Sequence, residues 1–128
     1  MTQLTAYAQQ LLDGPTYAVL ATVNRDGSPQ TSTMWVTRDG DDVLFSTTAS
    51  RQKARNLRRD PRVSVMLTDP DNPFRYAEVR GTATLTEEGG PELIQELGHK
   101  YTGEPFPEDS PGVVRLVVRV TPTKVVEH

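Results

Sequence analysis

The amino-acid sequence predicts a mainly β protein, an antiparallel barrel of six strands with helices at its openings. Three observations lead there. Apolar, β-branched runs of strand length recur along the chain, bounded by Asp-, Asn- and Gly-rich turns. Only three segments carry helical spacing, and all are short. The turns Asn24-Arg25-Asp26-Gly27 and Arg38-Asp39-Gly40-Asp41 join successive strands directly, so residues 16–48 read as a meander.

The elements follow in order. Leu4, Tyr7, Ala8, Leu11 and Leu12 recur at helical spacing, and Gly14-Pro15 ends that helix. TYAVLATV, residues 16–23, is a nearly continuous apolar strand. QTSTMWVT, residues 30–37, returns as its hairpin partner, and residues 42–48 form the third strand. A basic helix then runs from Ser50, an expected N-cap, to about Asp60, where Pro61 disfavours helical geometry in the residue before it. RVSVMLT, residues 62–68, alternates with Val63, Val65 and Leu67 on one face. After the loop Asp69-Pro70-Asp71-Asn72-Pro73 comes a long strand, residues 74–86, with Ala77, Val79, Ala83 and Leu85 on one side. Gly81 in its middle predicts a bulge or a close backbone approach. Pro91 opens a third helix that ends near Tyr101. A proline-rich loop, residues 102–112, leads to the last strand, residues 113–126, with Val114, Leu116, Val118 and Val120 on one side.

Length and composition bound the function. A chain of 128 residues is expected to form one domain, residues 1–128, with one ordinary core. The net charge is −3 and the pI about 5.3, which argues against general nucleic-acid binding. No apolar run approaches a membrane span, and the N-terminus lacks a signal-peptide pattern, so a cytoplasmic protein is expected. There is no cysteine, hence no disulfide or thiolate chemistry.

The basic stretch stands out against that acidic background. Arg51, Lys53, Arg55, Arg58 and Arg59 follow one another with no acid between them. A helix start carries partial positive charge, so cations there cost about 0.3–1 kcal/mol each. They make sense if an anion sits there too. Upstream hydroxyls at Thr47, Thr48 and Ser50, free N–H groups and basic side chains together predict a phosphate or carboxylate site. The plainer alternative is a solvated basic face.

Conventional catalytic sets are nearly absent. The only histidines are His99, near a helix end, and His128, the last residue. HExxH, CxxC, GxSxG and GxGxxG motifs do not occur, and the acids are scattered in turns, so no protein-built metal site or hydrolytic triad is expected. Chemistry would have to come from a cofactor. Thr31, Ser32, Thr33, Met34 and Trp35 on one strand, and Ser46, Thr47 and Thr48 on the next, could carry a planar heteroaromatic along their backbone edges. Its phosphate would then reach Ser50 and the basic helix. Trp35 and Met34 also read as core, and for Met34 core is the better reading. Arg75, Tyr76 and Tyr101 sit beside loops and fit an interface as well as a ligand contact.

The order AVLATVNRDGSPQTSTMWV, LFSTTASRQKARNLRRDPRVSVML, YAEVRGTATL and Tyr101-Thr102-Gly103 resembles the split β-barrel flavin and deazaflavin oxidoreductases related to pyridoxamine 5′-phosphate oxidase. The resemblance covers about Leu11 to Val126. The KARNLRRDPRVS phrasing, the YTG and the short chain are most similar to the actinobacterial-type branch that uses coenzyme F420. It implies an FMN-binding type of split barrel and a cytoplasmic homodimer with cofactor sites at the subunit interface. Gln30, Thr31, Ser32, Thr33 and Met34 would border the cofactor ring. Thr47, Thr48, Ser50, Arg51 and Lys53 would line the phosphate side, with Arg55 and Asn56 as further candidates. Arg75, Tyr76 and Tyr101 would come from the partner subunit or cover the substrate.

The chain ends TPTKVVEH, without the Arg-rich tail expected of a pyridoxamine phosphate oxidase, which argues against pyridoxal phosphate synthesis. The implied activity is hydride transfer from reduced deazaflavin to an unsaturated or conjugated small molecule. An FMN-dependent enzyme of the same fold is the first alternative, and a non-enzymatic flavin- or haem-like ligand binder the second.

Overall fold

Alternation along each strand turns one set of side chains inward, and these fill the barrel. In the computed structural model, which describes residues 1–128, helix α1 (Ala6–Asp13) precedes β1 (Ala18–Val23), β2 (Pro29–Met34), β3 (Thr37–Asp39) and β4 (Asp42–Thr48). Helix α2 (Gln52–Arg59), β5 (Arg62–Thr68), β6 (Tyr76–Thr86), helix α3 (Gly90–Thr102) and β7 (Arg115–Glu127) follow. The strands form one antiparallel sheet in the order β2-β1-β5-β6-β7-β4-β3. Leu20, Val65, Leu67, Val79, Phe45, Val118 and Val120 meet in its fully buried core.

The sequence predicts six strands and the chain forms seven. Residues 30–37 do not run through as one strand: they break at Trp35 and Val36. β2 pairs with β1, β3 pairs with β4, and the two lie at opposite ends of the sheet order. The break is therefore the seam of the barrel, where its first and last strands are joined by two residues.

Each helix caps a gap in this sheet. Thr5 caps α1, its Oγ1 accepting from the Ala8 N–H at 3.1 Å. Ala8, Leu11 and Leu12 bury the helix against β3, β5 and β6. Truncating fully buried Leu12 to Ala would cost about 2–5 kcal/mol. Gly89, with φ +81°, turns the chain into α3, and a Cβ on Gly90 would stand 2.3 Å from the Arg115 carbonyl oxygen. That close approach locks the start of α3 to the start of β7.

Gly81 meets both expectations made for it. The β6–β7 register shifts between Arg80 and Gly81, and a Cβ there would lie 2.2 Å from the Thr121 carbonyl oxygen. Pro122 stands opposite Gly81, just past Val120, the last β7 residue paired with β4. No helix of the structure is long and apolar enough to cross a membrane.

Candidate functional site

The start of α2 is bare of caps. Its N-cap is Arg51, not the expected Ser50, and no side chain caps it. The chain turns one residue later because the Arg51 N–H donates to the Thr48 carbonyl at 3.1 Å. That turn leaves Ser50 exposed, with its carbonyl accepting from Arg55 Nη1 at 2.6 Å. The Gln52 and Lys53 N–H groups have no acceptor within the protein. They are the orphan donors every helix start carries, and here nothing of the protein's own satisfies them.

Lys53 is the unusual residue. It shares the buried side of α2 with Ala54, Asn56 and Leu57, only 7% exposed, although helical spacing sets it apart from Ala54 and Leu57. Its ammonium makes no hydrogen bond and no ion pair. Burial first, and the neighbouring Arg51 second, hold its pKa below the ordinary lysine value. Its stem is buried while the ammonium opens on a cleft, where no protein acceptor meets it. Near it the Thr47 hydroxyl is buried and unpartnered as well.

The cleft these groups border has a volume of about 240 Å³. Arg51, Lys53 and Thr47 form its polar side, with Ser46 beside them. Thr33, Met34 and Trp35, where β2 ends, form a second wall. Ile94 and Leu97 of α3 close the apolar floor, and Tyr17 and Arg115 stand at the rim. Arg115 is held in place: its guanidinium pairs bidentately with Asp109 at 2.6 and 3.0 Å and reaches Ser46 Oγ at 3.3 Å.

Of the residues singled out in the sequence, the fold brings Thr33, Met34, Thr47, Arg51 and Lys53 together on this cleft. Thr31 lies exposed farther back on β2, and Ser32 turns a buried, unpartnered hydroxyl inward. Thr48 and Ser50 line a neighbouring groove against the loop 106–114. Asn56 is fully buried and its polar atoms are satisfied within the protein: Nδ2 donates to Thr22 Oγ1 at 3.0 Å and Asn24 Oδ1 at 2.9 Å, and Oδ1 accepts from Gln52 at 2.7 Å. The Thr22 hydroxyl donates onward to Gln30. Asn56 and Gln30 thus tether α2 to the sheet. Arg55 folds back on Ser50 and Gln52.

Arg75 and Tyr76 do not line the cleft. Arg75 lies 3.7 Å over the Tyr7 ring, and Tyr76 stacks on His128. Tyr101 stands behind the cleft wall, stacked on Trp35 with centroids 5.2 Å apart.

Tyr17, Ile94, Leu97 and Arg115 were not singled out in the sequence. Ile94 and Leu97 read there as an ordinary apolar helix face. Tyr17 was absorbed into an apolar strand, and Arg115 is one exposed-looking cation at a strand start. Their convergence depends on how α3 crosses the sheet, which no local pattern encodes.

The cleft can do three things chemically. It can hold an anion against Arg51 and Lys53, seat a flat ring against Trp35 and the end of β2, and exclude water. It offers no carboxylate or imidazole, and no cluster of His, Cys, Asp or Glu that could hold a metal exists in the chain.

Known proteins share this fold. A solved structure named F420 reductase is 35% identical, over 96% of this chain and 98% of its own, with a TM-score of 0.85. A conserved hypothetical protein from Mycobacterium tuberculosis is 28% identical over 99% of this chain and 85% of its own, at TM-score 0.80. A putative pyridoxamine 5′-phosphate oxidase from Listeria innocua, at 24% identity, 91% and 90% coverage and TM-score 0.69, shares the fold. The family pattern described as pyridoxamine 5′-phosphate oxidase matches residues 4–128. With the match reaching from α1 to the last residue, this chain belongs to the pyridoxamine 5′-phosphate oxidase family.

Proposed function

We propose that the cleft binds a flavin-type cofactor, coenzyme F420 with FMN as the alternative, and that the protein is an oxidoreductase acting on an unsaturated or conjugated small molecule. The observation that carries this is Lys53, whose stem is buried and whose unpartnered ammonium opens on the cleft beside Arg51 at the uncapped start of α2. A phosphate would accept from cations and open N–H groups of this kind, and no group of the protein does. The orphan Thr47 hydroxyl adds a further donor. A ring would rest against the end of β2, near Thr31, Thr33 and Met34, whose outer edge is unpaired.

When bound and reduced, the cofactor supplies a hydride. The residues of this chain bind and orient. Lys53 and Arg51 anchor the anionic end, Trp35 and Leu97 keep water from the ring face, and Arg115, fixed by Asp109, shapes the rim where an acceptor enters. With no carboxylate or imidazole lining the cleft, positioning is the protein's main contribution.

Coenzyme F420 is favoured over FMN by two things. The 35% identical relative bears that cofactor's name. The exposed face of α2 also continues past the cleft, with Arg51 and Arg58 free of any acid and able to meet the deazaflavin's acidic tail. We also propose a homodimer: Val19, Ala21 and Val23 on β1 and Met66 on β5 face away from the core and are only half-buried in the single chain.

The test is a side-by-side titration with coenzyme F420 and FMN, read by quenching of Trp35, the sole tryptophan. Saturable binding at micromolar concentration, tighter for the deazaflavin, is expected. Absence of binding by both would overturn the reading.

A further inference from the structure

The seam between β2 and β3 needs an explanation that the cofactor reading does not supply. Val36 is fully buried yet belongs to no strand, so its N–H and C=O have no ladder partner. Buried backbone groups must be satisfied. Here two side chains from the last turn of α3 do it. The Val36 N–H donates to Tyr101 Oη at 3.0 Å, and its carbonyl accepts from Lys100 Nζ at 2.6 Å. Both side chains then reach a second element. Tyr101 Oη donates to the Thr16 carbonyl at 2.6 Å, and Lys100 Nζ donates to the Leu12 carbonyl at the end of α1.

Between them stands Trp35. Its ring lies flat on Tyr101, at 5.2 Å and 12°, and meets the Phe106 ring edge-on at 6.2 Å and 87°. Tyr17 leans on the other side of Tyr101 at 5.9 Å. Trp35 and Tyr17 line the cleft, whereas Lys100 and Tyr101 do not. A hydroxyl and an ammonium that never touch the cleft therefore fix the backbone on which its aromatic wall is mounted. Lys100 has no carboxylate within ion-pair distance; its ammonium is held by the two carbonyl oxygens and lies 5.3 Å over the Tyr101 ring.

We propose that Lys100 and Tyr101 are positioning residues, a two-pronged latch from α3 that closes the barrel seam and thereby sets where Trp35 stands in the cleft. Tyr101 is then not a substrate contact. Its consequence for ring binding rests on the cofactor reading above, but the position of Trp35 does not.

The experiment uses the whole chain with Tyr101→Phe, which keeps the stack and loses the hydroxyl, and Lys100→Met, which keeps the stem and loses the charge. Thr102→Ala is the control. It removes a hydrogen bond of the same helix end, from Thr102 Oγ1 to the Gly98 carbonyl, without touching the seam. All are measured well below their unfolding temperatures. Acrylamide quenching of Trp35 should rise and its emission shift to the red in both latch variants and not in the control. Riboflavin and FMN should each bind about tenfold more weakly to the latch variants, with the ratio between them unchanged. Lys53→Met should instead collapse that ratio. Quenching and emission unchanged in both latch variants would overturn the proposal. Should the wild-type protein bind neither compound, the cofactor reading fails, and the quenching measurement still decides the latch.

Discussion

Two lysines are drawn into the interior of this small barrel, and they are treated differently. Lys100 ends α3 and spends its ammonium on the carbonyls of Leu12 and Val36. Lys53 opens α2, is 7% exposed, and has no acceptor at all. Burial lowers the pKa of both. The difference teaches which charge belongs to the fold and which belongs to a guest. A cation with two backbone acceptors closes a structure. One with none, next to a second cation at an uncapped helix start, is left available to a ligand, as proposed above.

The comparison can be broken most sharply at Lys53. Lys53→Met is expected to weaken binding of a phosphate-bearing flavin or deazaflavin by about 1.5–3 kcal/mol, while leaving the melting temperature of the free protein unchanged or higher. Titration calorimetry and a thermal melt of the same sample check both halves. A lowered melting temperature with unchanged affinity would place Lys53 with Lys100 instead. Lys100→Met should do the reverse, costing about 1–3 kcal/mol in urea unfolding because two buried carbonyls lose their donor.

A smaller contrast lies at Thr47. Its hydroxyl has no partner in the protein, so Thr47→Val should be near neutral for the free protein and cost about 0.5–1.5 kcal/mol of ligand affinity. The smallest effect is in pH. The folded pKa of Lys53 lies below its unfolded value of 10.5, so the unfolded chain holds that proton more tightly. The destabilisation from Lys53 should fade as pH rises through the folded pKa toward 10.5. The stability difference between Lys53→Met and wild type, followed by urea unfolding, should shrink over that window. A bound anion reverses the sign, so ligand affinity should fall over the same range.

Much of this was legible in the chain. Asp42–Thr48 and Arg62–Thr68 fall where alternation puts them, because each strand buries one face and exposes the other. The gathering of Thr47, Arg51 and Lys53 on one cleft was legible too, since cations at a helix start contradict the helix's own polarity and mark the place. What escaped had non-local causes. The break at Trp35 and Val36 is invisible in QTSTMWVT, which reads as one strand. It is imposed by Lys100 and Tyr101, more than sixty residues away. Asn56 looks like a polar site residue beside Arg55, yet its partners Thr22 and Asn24 come from the other end of a hairpin and make it a tether. Ser50 is a good cap by type, but Arg51 takes the position.

The kink shared by Gly81 and Pro122 reaches beyond local geometry. Past Val120 the last strand has lost β4 and leans on β6 alone, so its far side is an open ladder of backbone donors and acceptors. A bare rim of that kind recruits strands from other molecules and seeds insoluble assemblies. Pro122 removes one donor from this rim, and Lys124 adds charge to it. The irregularity at Gly81 and Pro122 is thus also expected to disfavour edge-to-edge pairing between copies.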